Sequence, residues 1–406
     1  MTFLTKNFHN FYNIIRSSNV INKTQLHKNI RLSNLYNCNV FFKREDLQTV
    51  RSFKIRGAYA KIKNSIKNGD ETIVTVSAGN HAQGVSLTCN SLKLKHHIFL
   101  PENTPHQKIN RIKYFGKEYL NLHIVGNNFD ESLEKANEFC KENESIFVHP
   151  FDDNDVILGQ STVAQEIYDD IEPDIIVAGI GGGGLISGVG SYSKLINDKC
   201  LIYGVEPENA NAMQLSLKNN KLYKLDDIDT FVDGASVKIP GKHTFEICKK
   251  VIDNIYTVSN NHLCNDMIDV YQNDGIILEP AGCLSISALD KIPKETMKDK
   301  NVVCILSGGN NDCSRYSEIM EKSLLFNNLK HYYLIKFTQK PGELKRYMNN
   351  VLTKTDDITR FEYLKKTNKD YGTVLIGIEI AEPNDIINIE NKMNSMNFDY
   401  IKIMEN

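Results

Sequence analysis

The sequence predicts an α/β fold in which parallel sheets are covered by helices, followed by a smaller α+β domain of ferredoxin-like order. Short β-branched segments alternate with longer helical patterns over most of the chain, which is typical of parallel sheets with helices on both faces. After residue 325 the order changes to strand, helix, strand, strand, helix, strand, which fits a small sandwich. The chain of 406 residues also exceeds one ordinary core. We therefore expect one domain over 1–324, with a smaller subdomain at about 44–152, and a second domain over 325–406.

The strands of the first domain are predicted from short runs of β-forming residues that end in turn residues. They lie at 71–77, 95–101, 122–126, 145–150, 174–180, 201–207 and 301–309. Helical periodicity occupies 130–143 and 184–197, and Ile55, Tyr59, Ile62 and Ile66 mark another helix. Because open α/β sheets bind ligands at the carboxyl ends of their strands, functional residues are expected in the loops that follow these strands.

The second domain divides into segments with clear periodicity. Strands are predicted at 331–339, 357–366, 372–380 and 398–405, and helices at 342–352 and 385–396. A segment of about 80 residues is long enough to fold as an independent domain.

The composition excludes several classes of function. Charged residues make up 24% and hydrophobic residues 41% of the chain, as in soluble globular proteins, and the formal net charge is only −2. So small a charge offers no field that would attract nucleic acid or acidic lipid. No apolar run approaches the length of a membrane span, and residues 1–15 lack the features of a signal peptide. The nine cysteines contain no CxxC pair, which is typical of reduced thiols in a cytoplasmic protein.

The strongest local signal is GIGGGGLISG at 179–188, which follows a strand and opens a helix. Successive glycines let the backbone approach an anion closely, and the helix N-terminus adds a positive dipole, so this loop favours a phosphate. Gly179, Gly181 and Gly184 also satisfy GxGxxG, and Glu206 ends the next strand, so a dinucleotide site is an alternative. A turn that serves only helix packing explains four consecutive glycines less well.

Two further strand ends and one lysine point to the same cleft. SAGNHAQG at 77–84 opens a helix with small polar side chains and exposed amides, where a carboxylate could bind. LSGGNND at 306–312 places Ser307 at the same sheet edge. Lys54 lies near the N-terminus of a helix, where the macrodipole disfavours a cation. It is either a lysine whose stem reaches water or an amine with a lowered pKa that attacks a carbonyl.

These pieces suit a cofactor with a phosphate, a carbonyl for a lysine amine and a heteroaromatic nitrogen, as in pyridoxal 5′-phosphate. Six segments between about residues 10 and 325 resemble the threonine dehydratases among the tryptophan-synthase-β-like (fold type II) pyridoxal-phosphate enzymes. They are, in order, KREDLQTVRSFKIRGAY, SAGNHAQGV, GGGGLISG, GVEPE, ILEPAG and LSGGNND. Residues 326–406 resemble the ACT-like regulatory domain of the isoleucine-biosynthetic members, in a single copy.

The resemblance implies a role for each matching residue. Lys54 is expected to bind the cofactor covalently and to act as the catalytic base. The other cofactor contacts that it implies are Phe53, Asn80, Gly181, Gly182, Gly183, Gly184, Leu185 and Ser307. The residues implied for the substrate carboxylate are Ser77, Ala78, Gly79, Asn80 and His81. Asn80 is expected at the phenolic oxygen of the cofactor, the glycines with Leu185 at its phosphate, and Ser307 at its pyridine nitrogen.

Two departures from related enzymes qualify this assignment. Related serine racemases carry a serine at the position of Ala78, which protonates the opposite face of the carbanion, and an alanine cannot do so. Ala212 replaces the aspartate of their divalent-metal loop, although Glu206 and Ala210 match that loop, so no metal is expected. Glu279 is expected to line the pocket without an assigned step.

The activity implied is that of an L-threonine ammonia-lyase, which forms 2-oxobutanoate and ammonia in the first step of isoleucine biosynthesis, with L-serine as a slower substrate. Isoleucine and valine are the expected effectors. A homodimer or homotetramer is expected, because a single ACT-like copy needs a neighbouring chain to complete an effector site. Three alternatives stay open: a cysteine-synthase-like β-replacement enzyme, an NAD-dependent dehydrogenase, and a non-catalytic amino-acid sensor that uses only 326–406.

Overall fold

The computed structural model describes residues 2–363 and 370–403. The chain forms two compact units, Met1–Asp312 and Cys313–Asn406. Each unit has its own sheet structure and its own hydrophobic core. The boundary predicted between residues 324 and 325 and the subdomain predicted at 44–152 stay predictions.

The strands of the large unit form two mainly parallel sheets. They are β1 Leu26–Lys28, β2 Asn39–Arg44, β3 Ile73–Val76, β4 His96–Leu100, β5 Leu120–Ile124, β6 Ile146–Phe147, β7 Ile175–Gly179, β8 Leu201–Pro207, β9 Asn254–Val258 and β10 Asn301–Leu306. The larger sheet has the order β1-β2-β10-β7-β8-β9 and is parallel except for the edge strand β1. The smaller sheet, β5-β4-β3-β6, is wholly parallel. The predicted α/β class with parallel sheets is confirmed.

Helices cover these sheets with their apolar faces. They are α1 Thr2–Arg16, α2 Ile30–Tyr36, α3 Lys54–Ser65, α4 Asn80–Leu92, α5 His106–Gly116, α6 Phe129–Glu142, α7 Asn154–Asp170, α8 Gly184–Ile196, α9 Ala212–Lys218, α10 Lys242–Val251, α11 Asn260–Asp274, α12 Pro280–Ser287 and α13 Lys294–Met297. In the main core, Val163 of α7 and Ile186 of α8 pack with Ile176 of β7 and Ile202 of β8. This packing holds the loop between β7 and α8 at the carboxyl edge of the larger sheet.

The small unit is an antiparallel sheet with helices packed on it. Its elements are α14 Tyr316–Phe326, β11 Lys330–Thr338, α15 Glu343–Asn350, β12 Asp357–Tyr363, β13 Tyr371–Glu379, α16 Asp385–Ser395 and β14 Asp399–Ile403. From β11 onward the order is βαββαβ, with the strands paired as β12-β13-β11-β14. Alternate residues of β11, namely Tyr333, Ile335 and Phe337, enter the core. The predicted ferredoxin-like order is confirmed.

Some strands differ from the prediction. Strands β1, β2 and β9 are not among the predicted strands. In β2 the buried Lys43 interrupts the apolar pattern of a core strand. The predicted strand 122–126 lies two residues late, because β5 is a half-buried edge strand with little alternation. The last residues of the predicted strands 357–366 and 398–405 lie outside the described part of the chain.

Among residues 2–363 and 370–403, no helix combines the length and the apolar character needed to cross a membrane. All nine cysteines are free thiols, and Cys313 is exposed whereas the others are buried or half-buried.

Candidate active site

A cleft lies where β7 and β10 end, next to the start of α3. Its position agrees with the rule that open α/β sheets bind ligands at strand carboxyl ends. The predicted cofactor residues that line it are Phe53, Lys54, Gly181, Gly182, Gly183, Gly184, Leu185 and Ser307. Pro150, Phe151 and Gln160 also line it. The fold therefore gathers residues from six separate segments of the chain around one small space.

The glycine loop after β7 requires glycine at its central positions. Gly183 has a φ of +92°, where an L side chain is strained. A Cβ at Gly182 would lie 2.3 Å from the Phe151 ring. The Thr244 hydroxyl donates to the Gly182 carbonyl over 2.6 Å, which fixes the orientation of the loop. Because the first amides of α8, from Gly184 onward, have no partner within the helix, the loop offers N–H donors and a helix dipole to a phosphate.

Lys54 is the first residue of α3 and lines the cleft. Its Nζ donates to the Pro150 carbonyl over 2.8 Å and lies 5.3 Å from the centre of the Phe53 ring. Burial lowers the pKa of Lys54 to about 8, and the Glu279 carboxylate opposes that shift. At neutral pH the neutral fraction is therefore much larger than for an ordinary lysine, whose pKa is about 10.4. Desolvation is the main reason that Lys54 can act as an amine.

Ser307 follows β10 and is buried. Its hydroxyl donates to the Ala281 carbonyl over 3.2 Å, and its oxygen still has lone pairs that can accept a hydrogen bond. The Phe53 N–H donates to the Ser307 carbonyl over 3.0 Å. This backbone bond ties the end of β10 to the start of α3, so that Ser307 and Lys54 are held in one place.

The loop 77–81 lies beside this lining, at the start of α4. The Gly79 N–H donates to Ser77 Oγ over 3.1 Å, which shapes the turn. Gly84 lets α4 approach α3, since a Cβ there would lie 3.3 Å from the carbonyl carbon of Lys54. The loop is thereby held next to the lysine.

The remaining predicted residues of this loop are anchored by the surrounding structure. Asn80 Nδ2 donates to Glu279 Oε1 over 2.7 Å. His81 is buried with Nε2 3.0 Å from the Val148 carbonyl oxygen. Burial lowers the pKa of His81 to about 3, so its ring is neutral at neutral pH. Ala78 packs against the core of α4, β4 and α5.

The chemistry of the cleft fits pyridoxal 5′-phosphate. Its phosphate requires several N–H donors, its carbonyl requires an amine, and its ring nitrogen requires a hydrogen-bonding partner. The glycine loop, Lys54 and Ser307 supply these groups around one space. Residues 17–308 match the family described as "Pyridoxal-phosphate dependent enzyme". This chain belongs to that family.

The comparisons also identify relatives of this pyridoxal-phosphate enzyme. Residues 321–406 match the C-terminal regulatory domain of threonine dehydratase, which confirms the predicted regulatory domain. The chain is 46% identical to the biosynthetic L-threonine dehydratase of Halalkalibacterium halodurans, over 95% of this chain and 94% of that protein. It is 44% identical to that of Bacillus subtilis, over 95% and 92%.

Solved structures also resemble this chain. Threonine deaminase isoform 2 of Solanum lycopersicum, in its processed form, matches with a TM-score of 0.73 and 35% identity, over 78% of this chain and 94% of that one. Maize serine racemase matches with a TM-score of 0.71 and 26% identity, over 79% and 97%. These similarities confirm the predicted fold, and the family match confirms the predicted cofactor class.

The dinucleotide alternative is wrong for this pyridoxal-phosphate enzyme, and the geometry gives the reason. The carboxylate of Glu206 accepts hydrogen bonds from the N–H groups of Met213 and Gln214 over 2.9 and 2.8 Å. It therefore caps α9 and is not available to a ribose.

Among the described residues, no group of three or more His, Cys, Asp or Glu could hold a metal ion.

Several residues at the site were not singled out from the sequence. Pro150 supplies a carbonyl to Lys54, Thr244 supports the glycine loop, and Asn310 donates to Asn80 over 2.7 Å. Pro150 ends a predicted strand and Asn310 follows Ser307 closely, so the sequence indicates that both lie near the site. It does not indicate their roles, because a backbone acceptor or a distant amide has no local sequence signature.

Proposed function

We propose that this chain is an L-threonine ammonia-lyase that converts L-threonine to 2-oxobutanoate and ammonia, the first step of isoleucine biosynthesis, and acts more slowly on L-serine. The observation that carries this proposal is the presence in one chain of the lysine-containing cleft and a domain that matches the regulatory domain of threonine dehydratase. Relatives that match over 95% of the chain bear the name biosynthetic L-threonine dehydratase, which supports the same reaction.

In this proposal five contacts hold the cofactor. The amides of 181–185 bind its phosphate, and Lys54 binds its carbonyl carbon covalently. Asn80 donates to its phenolic oxygen, Ser307 faces its ring nitrogen, and Phe53 flanks it. When bound, pyridoxal phosphate supplies an electron-withdrawing ring that stabilises negative charge at the substrate Cα.

Lys54 is the general base. Once the substrate amine has displaced Lys54 from the cofactor, the Lys54 Nζ is a free amine that accepts the proton from the substrate Cα, and the lowered pKa favours the neutral form that this step needs. The protonated Nζ then gives this proton to the departing Cβ hydroxyl, which leaves as water, and hydrolysis by one water molecule releases ammonia and 2-oxobutanoate. The loop 77–81 binds the substrate carboxylate at the N-terminus of α4, which places Cα in reach of Lys54.

Ser307 favours elimination over transamination. A hydroxyl, unlike a carboxylate, does not enforce a protonated ring nitrogen, so the ring is a weaker electron sink. The hydrogen of the Ser307 hydroxyl rotates, so it can be donated either to the Ala281 carbonyl, 3.2 Å away, or to an unprotonated ring nitrogen.

The remaining assignments concern regulation and assembly. Residues 1–324 form the catalytic domain, with 44–152 as its smaller subdomain, and 325–406 form the regulatory domain. Isoleucine inhibits the enzyme and valine relieves the inhibition. A single regulatory copy per chain is completed by a neighbouring chain in a homodimer or homotetramer, and the enzyme works in the cytoplasm.

The test combines a spectrum with an assay. The purified protein should be yellow, borohydride should fix the cofactor to the chain and abolish activity, and L-threonine should yield 2-oxobutanoate and ammonia in equal amounts. A colourless protein without turnover would favour the amino-acid sensor. Faster reaction of an O-acylated serine with sulfide than of L-threonine would favour the β-replacement enzyme.

A further inference from the structure

A chain of three hydrogen bonds runs past the cleft through Asn80. Asn310 Nδ2 donates to the Val50 carbonyl oxygen over 2.7 Å and to Asn80 Oδ1 over 2.7 Å. Asn80 Nδ2 in turn donates to Glu279 Oε1 over 2.7 Å. These three hydrogen bonds therefore link the segment before Lys54, the loop after β10, the start of α4 and the start of α12.

A backbone group at one end determines which group donates and which accepts in each of these hydrogen bonds. A carbonyl oxygen only accepts, so Val50 requires the NH2 group of Asn310 on its side. The second hydrogen of that NH2 group then reaches Asn80, which must present its oxygen. The NH2 group of Asn80 is left on the opposite side, where the carboxylate of Glu279 accepts one of its two hydrogens.

We propose that Asn310 and Glu279 are positioning residues that lock the orientation of the Asn80 amide and keep one Asn80 N–H available for the phenolic oxygen of the cofactor. This inference rests on the proposed role of Asn80 as a cofactor contact. An inverted amide would turn its own oxygen toward the oxygen of the cofactor. The hydrogen bond would be lost and two acceptors would face each other.

The surroundings of Glu279 hold its carboxylate in place. Glu279 is 6% exposed, and its N–H donates to the Gly308 carbonyl over 3.2 Å. A Cβ at Gly308 would lie 2.2 Å from Glu279 Oε1, so the backbone of the 306–312 loop packs directly on the carboxylate. The role of Glu279 is to accept from Asn80, and a glutamine oxygen can do the same.

The experiment titrates cofactor-free variants with pyridoxal 5′-phosphate and records the dissociation constant and the wavelength of the bound-cofactor band. Asn310→Ala should raise the dissociation constant at least tenfold and shift the band. The dissociation constant of Glu279→Gln should stay within about threefold of that of the parent. Asn311→Ala is the matched control, because the Asn311 side-chain atoms are buried and make no hydrogen bond to the described residues. Its dissociation constant should stay within twofold of that of the parent. An unchanged constant and band in Asn310→Ala would overturn the proposal.

A double-mutant cycle separates positioning from general destabilisation. If Asn310 acts through Asn80, the Asn80→Ala/Asn310→Ala pair should bind the cofactor within twofold of Asn80→Ala alone. Additive losses would overturn the inference and leave the role of Asn80 standing. Parental affinity in Asn80→Ala would instead refute the assignment of Asn80 itself.

A second variant covers the case in which Asn310→Ala fails to fold. Asn310→Asp has the same shape but offers only acceptors to Asn80, so Asn80 must invert. Its dissociation constant should also rise at least tenfold. Parental binding in folded Asn310→Asp would overturn the proposal.

Discussion

Replacing Arg56 by leucine should strongly destabilise the large unit, because Arg56 lies between two buried carboxylates. Its guanidinium donates twice to Glu45, over 2.8 Å each, and twice to Glu166, over 2.7 and 2.8 Å. Lys43 Nζ donates to Glu166 over 2.6 Å. The side chains of Arg56, Lys43 and Glu45 are 0% exposed and that of Glu166 is 6% exposed. The cluster has two cations and two carboxylates, and it is neutral only when complete.

The size of the effect follows from this burial. Removing one partner of a buried ion pair costs about 3–5 kcal/mol, because the remaining charge has no compensation, whereas an exposed pair contributes about 0–1 kcal/mol. Denaturant unfolding followed by circular dichroism measures the loss. Lys135→Leu is the control, since Lys135 pairs with Glu138 and both side chains are more than half exposed, at 57% and 53%.

The two variants should differ clearly at pH 7. The free energy of unfolding should fall by about 3 kcal/mol or more in Arg56→Leu, and by far less in Lys135→Leu, because the pair that Lys135 forms is exposed to solvent. Burial would raise the pKa of Glu45, but Arg56 outweighs that effect and holds the pKa below its ordinary value. The stabilisation that Glu45 provides is therefore present at neutral pH and lost in acid. The difference in the free energy of unfolding between the parent protein and Arg56→Leu should accordingly narrow as the pH falls. Equal, small losses in both variants at pH 7 would refute this reasoning.

Four other outcomes are expected. Lys54→Ala should abolish turnover and bind the cofactor only non-covalently, and cofactor that borohydride still fixes to this variant would show that another lysine carries it. Because Ala78 cannot protonate the second face of Cα, L-serine should be deaminated without racemisation; chiral analysis of unreacted serine that finds D-serine would contradict this. A chain that ends at Phe326, the last residue of α14, should keep threonine deamination and lose inhibition by isoleucine, and inhibition that survives in it would place the effector site elsewhere. Burial raises the pKa of Glu279 from 4.5 to about 7, so the folded protein holds this proton more tightly than the unfolded chain. The free energy of unfolding of the cofactor-free protein, measured relative to that of Glu279→Gln, should therefore fall by on the order of 3 kcal/mol as the pH rises from 4.5 to about 7. If the difference in unfolding free energy between the two proteins does not change with pH, the Glu279 side chain is hydrated.

The sequence by itself determined the order of the elements and the loops that bear functional groups. Both depend on neighbours in the chain: periods of 3.6 and 2 residues distinguish helices from strands, and consecutive glycines permit a backbone that other residues cannot adopt. The glycine loop thus follows β7, Ser307 follows β10, and the βαββαβ order of the small unit could be derived before its pairing was known.

Only the tertiary structure decided which strands share a sheet and which polar groups meet. Asn80 pairs with Asn310, 230 residues away, and with Glu279, 199 residues away. In the sequence, Arg56 and Lys43 look like ordinary solvated charges, yet both are fully buried among carboxylates. The lowered pKa of Lys54 likewise depends on distant segments that exclude water from it. Desolvation and hydrogen bonding between remote groups arise only when packing brings those groups together, so no local pattern of residues can encode them.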